Sequence, residues 1–130
     1  MKPKRKSPEA DLQIAVAQYL NLALPKGAIW FAVPNGGTRN LREAVKFKRM
    51  GVKAGIPDII ILHQSKAFCI ELKSGNGVVS KVQKAMMLAL FEAGFVVAVC
   101  RSLDEVAAFL QAVGLVPKPW LTRRNLGRAA

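Results

Sequence analysis

Asp58, Glu71 and Lys73 are the residues whose types and spacing could do chemistry together. Asp58 closes Gly55-Ile56-Pro57-Asp58 and leads into the apolar run Ile59-Ile60-Ile61-Leu62. A polar break, His63-Gln64-Ser65-Lys66, separates it from Ala67-Phe68-Cys69-Ile70, which runs into Glu71-Leu72-Lys73. Two such runs around a polar break read as a β-hairpin. With the turn centred between Gln64 and Ser65, Asp58 falls opposite Glu71. Like charges facing each other destabilise a sheet, so a positive species is expected between them, and a divalent cation held by carboxylate oxygens fits. Glu71 and Lys73 are two apart and share a face. The expected cluster is two acids and one amine at a strand end. The plainer reading is a solvated sheet edge, where lysine is common. Against it, both acids adjoin strongly apolar runs, and inward carboxylates are rarely left unpaired. The register matters, because a slip of one residue would move the acids to different faces.

The elements around this hairpin follow from capping and periodicity. Ser7-Pro8 reads as an N-cap followed by proline at the first helical position, opening a helix to about Ala23 with Leu12, Val16, Tyr19 and Ala23 as its buried stripe. Glu9 falls on that same stripe; a first-turn acid also complements the helix dipole. Ala28 to Val33 is an apolar run of strand length. Pro34-Asn35-Gly36-Gly37-Thr38-Arg39-Asn40 is a glycine-rich connector that lacks the spacing of a phosphate-binding P-loop. Leu41 to Met50 reads as a short helix.

Ser80-Lys81-Val82-Gln83 forms a capping box for a helix from Lys81 to about Ala93, ended by Gly94. Phe95 to Cys100 is an apolar strand, expected to be central and covered on both faces. Ser102-Leu103-Asp104-Glu105 reads as a second capping box, opening a helix to Gly114. The order suggests a mixed sheet flanked by helices, in α/β or α+β style. Residues 1–6 read as a basic arm, 7–115 as one domain and 116–130 as a basic tail.

The chain has 130 residues, 52% of them apolar, enough for one domain with a real core. No apolar run approaches the ~20 residues needed to cross a bilayer. Cys69 and Cys100 sit in strand-like runs and read as buried free thiols in a reducing, intracellular compartment. Twenty basic against eight acidic residues give a formal charge of +12, which favours a polyanionic partner, nucleic acid first. The densest basic stretch inside the fold, with Arg39, Arg42, Lys46, Lys48, Arg49 and Lys53 against Glu43 alone, directly precedes Asp58. It reads as a track for a phosphate backbone.

Pro57-Asp58, then Glu71-Leu72-Lys73, resembles the signature of the PD-(D/E)xK nuclease superfamily. The wider pattern resembles the VRR-NUC family, the virus-type replication-repair nuclease domain. It comprises an early helical Glu9, Pro34-Asn35-Gly36-Gly37, Gly51-Val52-Lys53-Ala54-Gly55-Ile56-Pro57-Asp58, Glu71-Leu72-Lys73-Ser74 and Ser80-Lys81-Val82-Gln83, and covers about residues 7 to 113. The resemblance implies a restriction-endonuclease-like core and a Mg²⁺- or Mn²⁺-dependent nuclease acting on DNA. It assigns Asp58, Glu71 and the Leu72 carbonyl to the metal, with Glu9 joining directly or through water. It assigns Lys73 to the attacking water or the phosphate, and places Gln83 near the site. Small members resemble Holliday-junction resolvases, which act as homodimers on branched DNA, and the resemblance alone suggests a viral or mobile-element gene.

Two other readings compete. A flap-, nick- or end-processing nuclease would use the same site. A non-catalytic basic module would explain the charge but not why Asp58, Glu71 and Lys73 converge. The apolar helix with Met86, Met87, Leu88, Leu90 and Phe91 is a candidate dimer face, unless it lies deep in the monomer core.

Overall fold

Ser7 accepts a hydrogen bond from Ala10 N through Oγ at 3.3 Å and starts α1, Pro8–Ala23. The computed structural model describes residues 7–34 and 40–117. After α1 come β1 (Ile29–Ala32), α2 (Leu41–Arg49), β2 (Ile59–His63), β3 (Lys66–Leu72), α3 (Lys81–Glu92), β4 (Val96–Cys100) and α4 (Leu103–Ala112). They form one α+β domain around a four-stranded sheet in the order β1-β2-β3-β4. The first two pairings are antiparallel, and β3 and β4 are parallel, joined by the helical crossover that parallel strands require.

β2 and β3 meet with His63 opposite Lys66 and Ile59 opposite Ile70. The two-residue turn between them, Gln64 and Ser65, has φ of 49° and 61°, the positive values that match the twist of a tight hairpin. The expected register therefore holds, and the next pair along sets Asp58 opposite Glu71.

Side chains alternate across the sheet. Ile59, Ile61, Phe68, Ile70, Leu72 and Cys100 face a core closed by Val16 and Leu20 of α1 and by Val106 and Leu110 of α4. Burying side chains of this size stabilises by roughly 1.5–3 kcal/mol each. Leu115 and Val116 complete this core at 6% and 8% exposed, so Val116, grouped above with the tail, packs with the domain. Glu71 points to the opposite face, toward α3.

One expectation changes and one open alternative closes. β4 is an edge strand, and only Cys100 at its end is buried. Its apolar sequence comes from lying alongside β3 between α3 and α4, which demands apolar side chains without a second strand neighbour. α3 is not deep in the core: none of its residues is buried, and Leu88 and Phe91 are 58% and 71% exposed. α2 likewise has no buried residue. Cys69 and Cys100 are free and buried; burial, joined at Cys100 by the charge of Glu105, pushes the Cys100 thiol up to about 11. Among the described residues no helix is long and apolar enough to cross a membrane. Residues 1–6, 35–39 and 118–130, and with them the basic arm, Asn35-Gly36-Gly37, Arg39 and the charged end of the tail, lie outside the described residues.

Candidate active site

Asp58 sits where the β2 ladder stops, held on both sides. Its backbone oxygen accepts from Val33 N at 2.8 Å, and its Oδ2 accepts from Leu72 N at 2.8 Å. The second bond replaces a ladder bond that β2 no longer supplies. Leu72 N–H therefore faces Asp58. In an extended strand the C=O of the same residue faces the same side, so the Leu72 carbonyl also lies toward Asp58. The next amide, Lys73 N, turns the other way and donates to Cys100 O at 3.0 Å.

Glu71 is the buried acid of this chain, at 2% exposed. Its Oε1 accepts from Gln83 Nε2 at 3.1 Å and lies 3.8 Å from Lys73 Nζ. Burial pushes its carboxyl up to about 8, aided by the charge of Asp58 and a hydrogen bond shared with it; Lys73 pulls the other way and Glu9 adds a smaller push. Taken out of water beside the charge of Asp58, the Glu71 carboxyl is held toward its protonated form. The same spot offers carboxylate oxygens of the kind a hard cation takes, with the Lys73 amine and the Gln83 amide beside them. Among the described residues no three of His, Cys, Asp and Glu gather closely enough to hold a metal ion. The carboxylates of Asp58 and Glu71, with the Leu72 carbonyl on the same side, are the oxygen groups this spot offers, of the chemistry a hard divalent ion takes.

Gln83 does two jobs with one amide. Its Oε1 accepts from Ser80 N at 2.9 Å, while Ser80 Oγ accepts from Gln83 N at 3.1 Å, completing the capping box of α3. The Nε2 end is left to reach Glu71. Glu9, which its position on the α1 stripe suggested would face inward, is exposed. Burial along α1 begins only at Leu12, so the first turn runs past the core, and the charge of Glu9 adds to the push on Glu71.

Arg42, Lys46, Lys48, Arg49 and Lys53 are all exposed, and Arg42, Lys46 and Arg49 recur at helical spacing on α2. With Leu41, Val45 and Met50 they line an open groove of about 820 Å³. That groove belongs to α2 and is separate from the carboxylate cluster.

Three contacts escaped the sequence reading. Gly55 has φ of 81°, and a Cβ there would lie 2.7 Å from the Val82 carbonyl oxygen; the glycine lets the loop before Asp58 touch the first turn of α3. Glu105 does not close a box on Ser102: its Oε2 accepts from Arg101 N at 2.6 Å. Arg101 Nη1 donates to the carbonyls of Gly75 and Gly77 at 3.1 and 2.7 Å. The one available signal was the Gly-x-Pro-Asp spacing; nothing in the sequence linked residue 101 to residues 75 and 77.

Residues 10–104 match the sequence pattern of the VRR-NUC domain. A solved structure described as a VRR_NUC domain protein is 30% identical, with 86% of this chain and 93% of that chain covered and a TM-score of 0.68. Another, described as a VRR_NUC domain, is 16% identical and shares the fold, with 82% and 97% covered and a TM-score of 0.57. No curated protein matches the chain.

Proposed function

Because this chain belongs to the VRR-NUC family, we propose that it is a metal-dependent deoxyribonuclease whose reaction takes place at Asp58, Glu71 and Lys73. The observation that carries this reading is Glu71, buried against Asp58 with one lysine 3.8 Å away. A buried acid beside a second carboxylate is costly unless a cation or a proton offsets the charge.

Asp58, Glu71 and the Leu72 carbonyl would hold Mg²⁺ or Mn²⁺. When bound, that ion supplies the Lewis acidity that activates water and offsets charge on the phosphate and the leaving oxygen. The chain's own residues do the rest. Leu72 N orients the Asp58 carboxylate, and Gln83 Nε2 orients that of Glu71. Lys73 presents its amine beside Glu71, where it takes up or directs a proton of the attacking water, or donates to a phosphate oxygen. Glu9 adds negative charge from α1 and acts through water. Arg42, Lys46, Lys48, Arg49 and Lys53, exposed on and just after α2, would contact backbone phosphates of the DNA away from the scissile bond.

The finer reading is a structure-selective endonuclease that resolves four-way junctions as a homodimer. One supporting feature is the exposed apolar surface of α3, with Val82, Leu88 and Phe91 at 53%, 58% and 71% exposed. A two-fold dimer would set two sites symmetrically on a junction.

The test is incubation with Mg²⁺ or Mn²⁺ and a panel of four-way, flap, nicked and linear DNAs, alongside Asp58→Ala. Wild-type cleavage lost in Asp58→Ala, with DNA binding retained, supports the nuclease. Binding without cleavage of any substrate would replace it with the basic-module reading. Cleavage of flaps or nicks in preference to junctions would keep the site and remove the resolvase.

A further inference from the structure

Lys73 runs straight into a tight turn, Ser74 to Gly77, closed by Gly77 N donating to Ser74 O at 2.9 Å. The turn folds back over the lysine. A Cβ added to Gly77 would lie 3.5 Å from Lys73 Cδ and 3.7 Å from Lys73 Cβ, so the turn passes close alongside the lysine stem. The position of the turn therefore limits where the lysine amine can go.

Arg101 holds that turn. Its Nη1 donates to the carbonyls of Gly75 and Gly77 at 3.1 and 2.7 Å. The parallel register pairs Leu72 with Cys100, so one step further sets Arg101 beside Lys73 on the face of Glu71. The arginine is anchored in its turn: its backbone N–H donates to Glu105 Oε2 at 2.6 Å, and Glu105 N is capped by Ser102 Oγ at 3.1 Å. Among the described residues the Arg101 guanidinium makes no ion pair with a carboxylate. An exposed arginine loses rotamer entropy on being ordered, and this one is ordered over two neutral carbonyls beside the site.

We infer that Arg101 is a positioning residue for Lys73: with Glu105 it forms a strut from the first turn of α4 to the Ser74–Gly77 turn, and so keeps the lysine amine beside Glu71. The kinetic consequence rests on the nuclease reading above; the structural one does not.

The experiment compares wild type, Arg101→Ala and Arg101→Lys. Three quantities are measured below the melting temperatures: kcat at saturating DNA, DNA affinity in EDTA, and the nuclear Overhauser contact between the Lys73 side chain and Gly77 Hα. Arg101→Ala should lower kcat on the order of tenfold to a hundredfold, the cost of small misplacements at a reacting centre. Its DNA affinity should stay within about twofold, and the Lys73–Gly77 contact should weaken or vanish. Arg101→Lys, which keeps the charge and reaches one carbonyl, should recover part of kcat and of the contact.

An unchanged kcat together with an intact contact would overturn the inference. So would a loss of affinity at unchanged kcat, which would make Arg101 a phosphate contact. If Arg101→Ala does not fold, the same readouts on Arg101→Lys and Glu105→Gln decide it. If the wild type cuts no DNA, the nuclease reading fails while the Lys73–Gly77 contact still tests the strut.

Discussion

Gln83 Nε2 donates to Glu71 Oε1 at 3.1 Å, so the residue that completes the capping box of α3 also holds the buried acid of the site. One amide offers one acceptor and one donor group, and both ends are engaged. Secondary structure and site are therefore coupled at a single side chain. Gln83→Ala should lower stability by about 1 kcal/mol through the lost side-chain hydrogen bond from Ser80 N and lower cleavage as well. Gln83→Glu separates the two effects, since it keeps an acceptor for Ser80 N but sets a carboxylate against Glu71. It should retain the thermal stability of α3 better than Gln83→Ala and still lose cleavage. Equal activity of Gln83→Glu and wild type would remove Gln83 from the site.

The acidity of Glu71 makes stability depend on pH. Its carboxyl stands at about 8 in the folded chain against 4.5 for an ordinary glutamate. Between those values the folded state binds more protons than the unfolded one, so stability falls as pH rises. The contribution is complete below the unfolded value, is lost through the folded one, and is flat above it. The metal-free protein should therefore melt at lower temperature at pH 8 than at pH 5, relative to Glu71→Gln over the same range. Mg²⁺ should offset the loss at pH 8, because the ion takes the place of the proton. Wild-type and Glu71→Gln melting curves that run parallel across this range would rule the shift out.

Gly55 and Gly51 make a matched pair. Both have positive φ, 81° and 95°, but a Cβ at Gly51 meets nothing within 4 Å, whereas at Gly55 it meets the Val82 carbonyl at 2.7 Å. Gly51→Ala should cost only the backbone strain, about 1 kcal/mol. Gly55→Ala should cost more and should displace α3, weakening the Gln83–Glu71 contact and lowering cleavage. Denaturant unfolding of both variants checks the first point, and activity under folding conditions the second. A Gly55→Ala variant as active and as stable as Gly51→Ala would contradict it.

On α2, Arg42, Lys46 and Arg49 are exposed on a helix with no buried residue. Replacing any one by alanine should therefore leave the fold intact. Each phosphate contact removed should reduce the slope of log affinity against log salt by about 0.9. Titrations at several salt concentrations read this directly, and an unchanged slope in the triple variant would take α2 out of the DNA interface.

Much of the fold was legible because its signals are local. Ser7-Pro8 and Ser80-Lys81-Val82-Gln83 start helices through bonds spanning only three residues. The hairpin register follows from two apolar runs about a polar break, so the meeting of Asp58 and Glu71 could be read in advance. β4 misled because an apolar run reports burial on two faces and says nothing about neighbours within the sheet. Glu9 misled because helical periodicity gives a direction around the axis but not where along it the core ends.

By itself, the order of residues determined which side chains share a strand face, where each helix begins, and that two acids and a lysine would meet at the end of a hairpin. All of these are set by periodicity and by short-range hydrogen bonds. Only the tertiary structure decided that α3 turns Gln83 onto Glu71, that Glu71 lies buried enough to hold a proton near neutral pH, and that Arg101 reaches across to the turn after Lys73. Those depend on the packing of elements distant in sequence, where burial and distance, rather than residue type, set the energy.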